Sequence, residues 1–442
     1  MHDYATTTTR FATRTGLTLE SSFDGGRLTS DGGLAWIAQI DSELGLCKAL
    51  AQYVPEWRRG QVQHSRLALV QQRVYQIACG YEDQNDADDL RTDPLFKVVC
   101  GRLPETGDDL ASQPTLSRLE NAPTARACYR MAVALGELYI AQRGAEGVPQ
   151  TILLDIDSTD DPTHGAQAGS SYHGYYEQHM YHPLLVFDGE TGQLITAVLR
   201  PGNTHANRGI VPLLKRIVSR LRQAWPEVGI ELRADAGFAT PAVYEYCEAE
   251  GITYTIGLIT NARLEALAEP LLAQAHQQYV AEQQKVRLLA EGRYQADSWD
   301  KERRVVYKAE VMAEGTNTRF VVTTREMEAT ELYNWYVLRS ESENWIKDFK
   351  RAIKADRLSC HRFLANQFRL LLHAAAYWLL DTLRKKLMKV GVERMQLDTL
   401  RLRLIKIGGR VREWLTCIRL HLASSHPGQH LWQVLTTTQI RS

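Results

Sequence analysis

Along the first 150 residues the apolar positions recur every three or four, the spacing of helices with one buried face. Residues 64–79 are the clearest case, with Leu67, Val70, Val74 and Ile77 on one side and Gly80 as a stop. Residues 34–50 and 125–142 carry the same period. Turn chemistry fills the rest. Phe23-Asp24-Gly25-Gly26 and Ser30-Asp31-Gly32-Gly33 read as turns or an irregular arm. The acidic residues 81–89 lack the glycine and terminal Glu of a helix-loop-helix calcium site, which leaves a capped, solvated turn. Residues 113–121 open either a recognition helix whose hydroxyls and Arg118 meet phosphates, or an ordinary capped helix. An all-helical N-terminal domain over residues 1–149 is the expectation, with residues 144–149 as linker.

From Thr151 the period shortens to two. Residues 151–157 predict a buried strand with Asp155 and Asp157 on the same side. Residues 183–187 and 193–199 predict a hairpin about Asp188-Gly189-Glu190-Thr191-Gly192. A helix capped by Thr204 and running to about Trp225 follows, then a strand over 229–234 that delivers Asp235. Thr240 and Pro241 start the next helix, Gly251 ends it, and residues 253–258 form another strand. Three strands, helix, strand, helix, strand is the order of a ribonuclease-H-like domain, so the fold class is α/β. Residues 264–291 look helical, and 303–308 and 319–323 look like strands, which predicts an inserted β-containing module. The expected division is therefore an N-terminal helical domain (1–149), a ribonuclease-H-like domain (150–261 and 331–390), the inserted module (262–330) and a basic C-terminal region (391–442). In that last region a polar end is expected to be partly ordered at best.

The 442 residues carry 52 Lys+Arg and 52 Asp+Glu, and the balance hides an asymmetry. Residues 351–442 hold 17 basic against 5 acidic side chains, including Arg401, Arg403, Arg410 and Arg412, and suit a polyanion. Residues 1–150 hold 15 against 19, so contacts with a polyanion there need a local basic face such as Arg58, Arg59, Arg66 and Arg73. Seven scattered cysteines argue against a disulfide framework or a structural zinc site. No apolar run approaches a membrane span and no targeting signal stands at the start, so a cytoplasmic protein is expected.

The candidate chemistry converges on residues 336–350. On one helix Tyr336, Arg339, Glu343, Lys347 and Lys350 share roughly an 80° arc, with Leu338, Trp345, Ile346 and Phe349 beside them. Such a stripe is either a solvated face or the edge of a cleft. Phosphodiester cleavage needs carboxylates from distant parts of the chain to hold divalent ions. Asp157 ends the first strand, Asp235 the fourth, and Glu343 follows the fifth. A lone Asp at a strand end is otherwise a cap or turn residue.

Tyr336, Arg339, Glu343 and Lys350, Asp157-Ser158-Thr159, and Asp235-Ala236-Gly237-Phe238 resemble the three catalytic motifs of DDE transposases of the insertion-sequence-4-like superfamily. Further stretches at 23–33, 77–83, 113–120 and 157–165 resemble the insertion-sequence-1380 family of bacterial transposases in particular. The resemblance implies cleavage at terminal inverted repeats and strand transfer into target DNA. Asp157, Asp235 and Glu343 would hold two Mg2+ or Mn2+ ions, in a homodimer assembled on paired element ends and associated with the bacterial nucleoid. It implies phosphate contacts by Arg339 and Lys350, positioning of the terminal nucleotide by Tyr336, and Trp299 either against a flipped base or simply packed. Asp155 is the alternative first ligand. A ribonuclease-H-like nuclease or resolvase without strand transfer, and a non-catalytic DNA-binding descendant of a transposase, are the competing functions.

Overall fold

The computed structural model describes residues 8–439. Two compact units divide the chain, residues 1–122 with 375–442, and residues 123–374. Among the described residues no helix is long and apolar enough to cross a membrane.

The first unit opens with an exposed antiparallel pair, β1 (Thr9–Ala12) and β2 (Thr18–Ser21), then the short β3 (Leu28–Thr29). Six helices follow: α1 (Leu34–Leu44), α2 (Leu46–Ala51), α3 (Arg66–Cys79), α4 (Asp86–Leu90), α5 (Pro94–Val99) and α6 (Gln113–Asn121). Ser65 caps α3 by accepting from the Ala68 amide, and left-handed Gly80 ends it. This helix is buried on more than its apolar side. Arg73 and Glu120 of α6 are fully buried and meet at 2.7 Å, so Arg73 belongs to the core and not to a basic DNA-facing surface.

The second unit begins with α7 (Ala125–Ala145) and is organised on one eight-stranded sheet. The N-terminal helical segment thus ends earlier as a compact body than the pattern suggests. Helix α7 packs on the sheet unit, where Tyr139 donates to Asp188 Oδ2 at 2.7 Å. Next come β4 (Thr151–Ser158), a small antiparallel sheet of β5 (Asp161–Pro162), β6 (Ser171–His173) and β7 (Gln178–Tyr181), then β8 (Leu184–Asp188) and β9 (Leu194–Val198). They lead to α8 (Ile210–Ala224), β10 (Gly229–Ala234), α9 (Pro241–Ala249) and β11 (Thr253–Leu258). Gly209, not Thr204, stands at the N-cap of α8; Thr204 is buried and its carbonyl meets His182 Nδ1 at 2.7 Å.

The segment expected as an inserted β-containing module is α10 (Ala262–Glu282), β12 (Val286–Tyr294), β13 (Arg303–Met312) and β14 (Gly315–Thr323). Its strands extend the main sheet, because β14 pairs antiparallel with β11. The order across the sheet is β12-β13-β14-β11-β10-β4-β8-β9, with β4, β10 and β11 parallel to one another. Helices α11 (Ala329–Val337), α12 (Ser340–Lys347) and α13 (Phe363–Lys389) follow, and α13 runs from the second unit into the first.

The first unit is completed by α14 (Leu397–Leu400), β15 (Gly409–Glu413), β16 (Ile418–Leu422) and α15 (Gln429–Gln439). Up to Gln439 this replaces the expected partly ordered end with packed elements; residues 440–442 of that end lie outside the described ones. β15 pairs with β16 and β3, and Trp432 of α15 meets Trp36 of α1 edge-on at 5.5 Å. The Ser30-Asp31-Gly32-Gly33 turn is the seam: a Cβ on Gly33 would sit 1.8 Å from the Leu404 carbonyl oxygen, so only glycine lets the backbones approach and the Gly33 amide reach the Ile405 carbonyl.

Candidate active site

Asp157 and Asp235 are brought together by strand register. β10 lies parallel to β4 with Ala234 opposite Ile156, so the next residue of each strand stands at the same edge of the sheet. β11 continues the row, with Ile256 opposite Ala234 and Gly257 therefore beside Asp235. Asp235 accepts from the Gly237 amide at 2.9 Å and caps a short helical turn. Asp157 is 8% exposed, and its Oδ1 accepts from the Ser158 amide at 2.8 Å. Burial pushes the Asp157 carboxyl up to about 6; Arg339 opposes the shift and the neighbouring Asp235 adds to it.

Gly257 has a reason to lack a side chain. A Cβ there would lie 2.7 Å from the Tyr336 hydroxyl, which reaches over the strand and donates to the Ala234 carbonyl at 3.3 Å. Burial raises that phenol to about 12, with Arg339 opposing and Asp235 reinforcing. An isolated glycine inside a strand is the signal that could have pointed to this close approach.

Arg339 sits at the centre. Its Nη1 donates to Asp157 Oδ2 at 3.0 Å and its Nη2 to Glu343 Oε1 at 3.5 Å. Burial alone would lower this guanidinium, but Asp157, Tyr336, Asp235 and Glu343 around it hold it above its ordinary value. Glu343 itself is 66% exposed. Lys350 donates to Asp160 Oδ1 at 2.6 Å, which holds Asp160 below the usual carboxylate range against the effect of its burial. Asp160 is thus part of the site and more than the turn residue its sequence position suggests.

The motif does not form a single helix. The chain breaks between α11 and α12, and residues 348–352 form a π-helical turn carrying Lys350. Trp345 and Phe349 are buried as the pattern predicts, but Leu338, at the break, is exposed, and so is Lys347. Tyr336, Arg339, Glu343 and Lys350 nevertheless all border the row of carboxylates.

Other expected residues are placed differently. Asp155 is held by Arg233 through two hydrogen bonds, at 2.7 and 2.6 Å, while the same guanidinium donates to the Trp335 carbonyl. Each of its oxygens already accepts from that buried guanidinium, which disfavours it beside Asp157 as the first ligand. Trp299 is 7% exposed, edge-on to Tyr244 and Tyr294 and stacked by Arg303, which leaves no ring face for a base. Arg401 is buried, donating to the Ala78 carbonyl at 2.9 Å and to Asp398, so it clamps the end of α3 and is not a DNA contact. Arg403 and Arg118 are exposed on the same unit.

The donor set of Asp157, Asp235 and Glu343 is all carboxylate oxygen, which suits a hard divalent cation. Asp157 and Asp235 side by side call for positive charge, and Arg339 supplies it here. Among the described residues no three acidic, histidine or cysteine side chains stand close enough to hold a metal ion, because Glu343 is turned to Arg339 and outward.

The family model for the transposase DDE domain, group 1, matches residues 11–441. No curated protein matches the chain. Among solved structures, the cryo-EM structure of the piggyBac transposase synaptic complex with hairpin DNA is similar at a TM-score of 0.44 and 11% identity, over 90% of this chain and 81% of that one. With the family match spanning nearly its whole length, the chain belongs to the group 1 DDE-domain transposases, a family that works with divalent metal ions, and is a DNA transposase.

Proposed function

We propose that this transposase serves an insertion sequence of the 1380 family, cutting DNA at terminal inverted repeats and joining the ends to a target, from a ribonuclease-H-like core. The observation that carries the reading is the pairing of Asp157 and Asp235 at one edge of adjacent parallel strands, with Arg339 linking Asp157 to Glu343. The strand order β9-β8-β4-β10-β11, with the first three antiparallel in sequence and the last two parallel to β4, supports the core assignment.

Asp157, Asp235 and Glu343 would hold two Mg2+ or Mn2+ ions, which supply the Lewis acidity that activates the attacking oxygen and stabilises the leaving one. Arg339 is then released from its carboxylates to a phosphate, which its two parallel N–H groups can grip. Lys350, held by Asp160, stands ready for a second phosphate as a point charge. Tyr336, wedged over Gly257, fixes the break between α11 and α12 and so the place of Arg339. DNA recognition is assigned to the N-terminal helical segment and the basic C-terminal region, through exposed Arg118 and Arg403, and a homodimer on paired ends is the working form.

The test is cleavage of a duplex carrying the element's own end, with binding measured in parallel. Asp157→Asn, Asp235→Asn and Glu343→Gln are each expected to abolish cleavage in Mg2+ or Mn2+ while specific end binding stays within about twofold, because none of these residues reads sequence. Wild-type cleavage in any of the three would remove that residue from the site. Joined products with a pre-cut end and target DNA separate a transposase of this kind from a simple nuclease.

A further inference from the structure

Between β4 and β8 the chain makes an excursion, the small sheet of β5, β7 and β6, at the edge where Asp157 and Asp160 stand. Its β6–β7 hairpin turns through residues 174–177 and carries two consecutive tyrosines whose rings meet edge-on, one half-buried and the other exposed. Tyr176 is turned inward. Its ring lies 5.1 Å from that of His173 and 6.0 Å from that of His182, and burial, with Asp160 and Asp157 nearby, pushes its phenol up to about 12. Tyr175 is turned outward and is 85% exposed, its ring 5.0 Å from that of Tyr176 and at 89° to it. Tyr172, on β6, adds a second ring 55% exposed.

The turn is braced. Gln178 donates to Asp160 Oδ2 at 3.3 Å, and the other oxygen of the same carboxylate takes Lys350 at 2.6 Å. His173 and His182 pack edge-on at 5.1 Å behind Tyr176. Glu177 completes the turn in the left-handed region, with φ of 52°. An outward ring on a turn tied to the active-site carboxylates is a preformed surface for a flat ligand. In an enzyme whose substrate is DNA, the flat group that every sequence offers is the face of an unpaired base.

We propose that the β6–β7 hairpin is a stacking platform for an unpaired base of the DNA strand at the active site, with Tyr175 as the principal ring, Tyr172 beside it and Lys350 near the adjoining phosphate. The assignment rests on the carboxylate site proposed above. Tyr176, His173 and His182 are the strut behind the platform, and Gln178 ties it to Asp160. Stacking needs no sequence readout, so the platform would accept any base.

The probe is a duplex with a three-nucleotide single-stranded 3′ tail carrying 2-aminopurine, bound in the absence of divalent metal to the full chain and to Tyr175→Ala, Tyr175→Phe and Tyr172→Ala. Wild type and Tyr175→Phe should quench the 2-aminopurine fluorescence and bind the tailed duplex roughly tenfold more tightly than a blunt one. Tyr175→Ala should lose both the quenching and the preference, with an unchanged melting temperature because the ring is exposed; Tyr172→Ala should lose part of each. Absence of a tail preference in the wild type, its survival in Tyr175→Ala, or its equal loss in Tyr175→Phe would overturn the platform. Cleavage by Asp157→Asn, measured separately, decides the carboxylate assignment, so either idea can fail without the other.

Discussion

Arg339 is where stability and catalysis compete for the same side chain. In the protein without metal it neutralises Asp157, which burial and Asp235 both work to protonate. Arg339→Ala therefore strips a largely buried carboxylate of its counter-charge, and a cost of about 1–2 kcal/mol is expected, below that of a fully buried pair because the arginine is 18% exposed. Adding Mn2+ should recover most of the lost melting temperature, since the metal takes the place of the guanidinium; cleavage should stay at least about a hundredfold down. Arg339→Lys keeps the charge but not the two-pronged grip, so a smaller loss of cleavage and a near-normal melting temperature are expected. A melting temperature in Arg339→Ala that ignores Mn2+ would contradict the exchange. His182 gives the pH dependence at the same scale. Burial lowers its imidazole to about 4, with the hydrogen bond to the Thr204 carbonyl opposing and Arg200 reinforcing. The unfolded chain then binds this proton below about 6.5 while the folded chain refuses it down to about 4, so stability is lost as pH falls through that window. At about 1.4 kcal/mol per pKa unit the loss attributable to His182 is at most about 3.5 kcal/mol. Chemical denaturation of wild type and His182→Gln at pH 7 and pH 4.5 should show the wild type losing more; equal losses would assign the acid sensitivity elsewhere.

At the level of elements, the helix that carries Glu343 is short and is held by one large ring. Trp345 of α12 is 5% exposed, packs 5.5 Å from Phe187 of β8 and lies against Gly192, where an added Cβ would fall 2.8 Å from the indole. Gly192 also has φ of 69°, so Gly192→Val meets both a strained backbone and a steric clash. A loss of about 2 kcal/mol and a tilt of α12 are expected, with cleavage falling more than DNA binding because Glu343 moves and the DNA contacts elsewhere do not. Thermal melting and cleavage of Gly192→Val check this; full activity would show that α12 is not seated through this ring. Trp345 and its burial were legible in the spacing of the motif, as were Asp157 and Asp235 at strand ends, because alternation and turn residues are local signals. The break at Leu338, the π-helical turn at Lys350 and the ion pair of Asp155 with Arg233 were not. Each depends on what the neighbouring strand presents, and register between β4 and β10 is a property of two segments almost eighty positions apart. The same holds for β14, whose pairing with β11 joins the strands of the inserted module to the main sheet.

For the whole molecule the question is where the positive charge meets DNA. Residues 351–442 carry 17 basic against 5 acidic side chains, and composition alone does not fix which of them face water. The structure sorts the run at 401–412: Arg401 is buried against α3, whereas Arg403, Arg410 and Arg412 are exposed, the last two alternating with buried positions along β15. Read as a basic run, residues 401–412 gave no strand; β15 exists through its partners β3 and β16. Replacing Arg403, Arg410 and Arg412 with Gln should leave the fold intact, because all three side chains are outward. Each phosphate contact removed should reduce the slope of log affinity against log salt by about 0.9, so the triple variant should flatten it by up to about 2.7 if all three meet phosphates. Arg401→Gln should do the opposite, lowering the melting temperature through the lost bonds to Ala78 and Asp398 while leaving the salt slope as it was. Binding titrations of a long duplex between 50 and 300 mM salt read both quantities. A slope unchanged in the triple variant would move the DNA path off β15 altogether, and with it the role assigned to the basic C-terminal region.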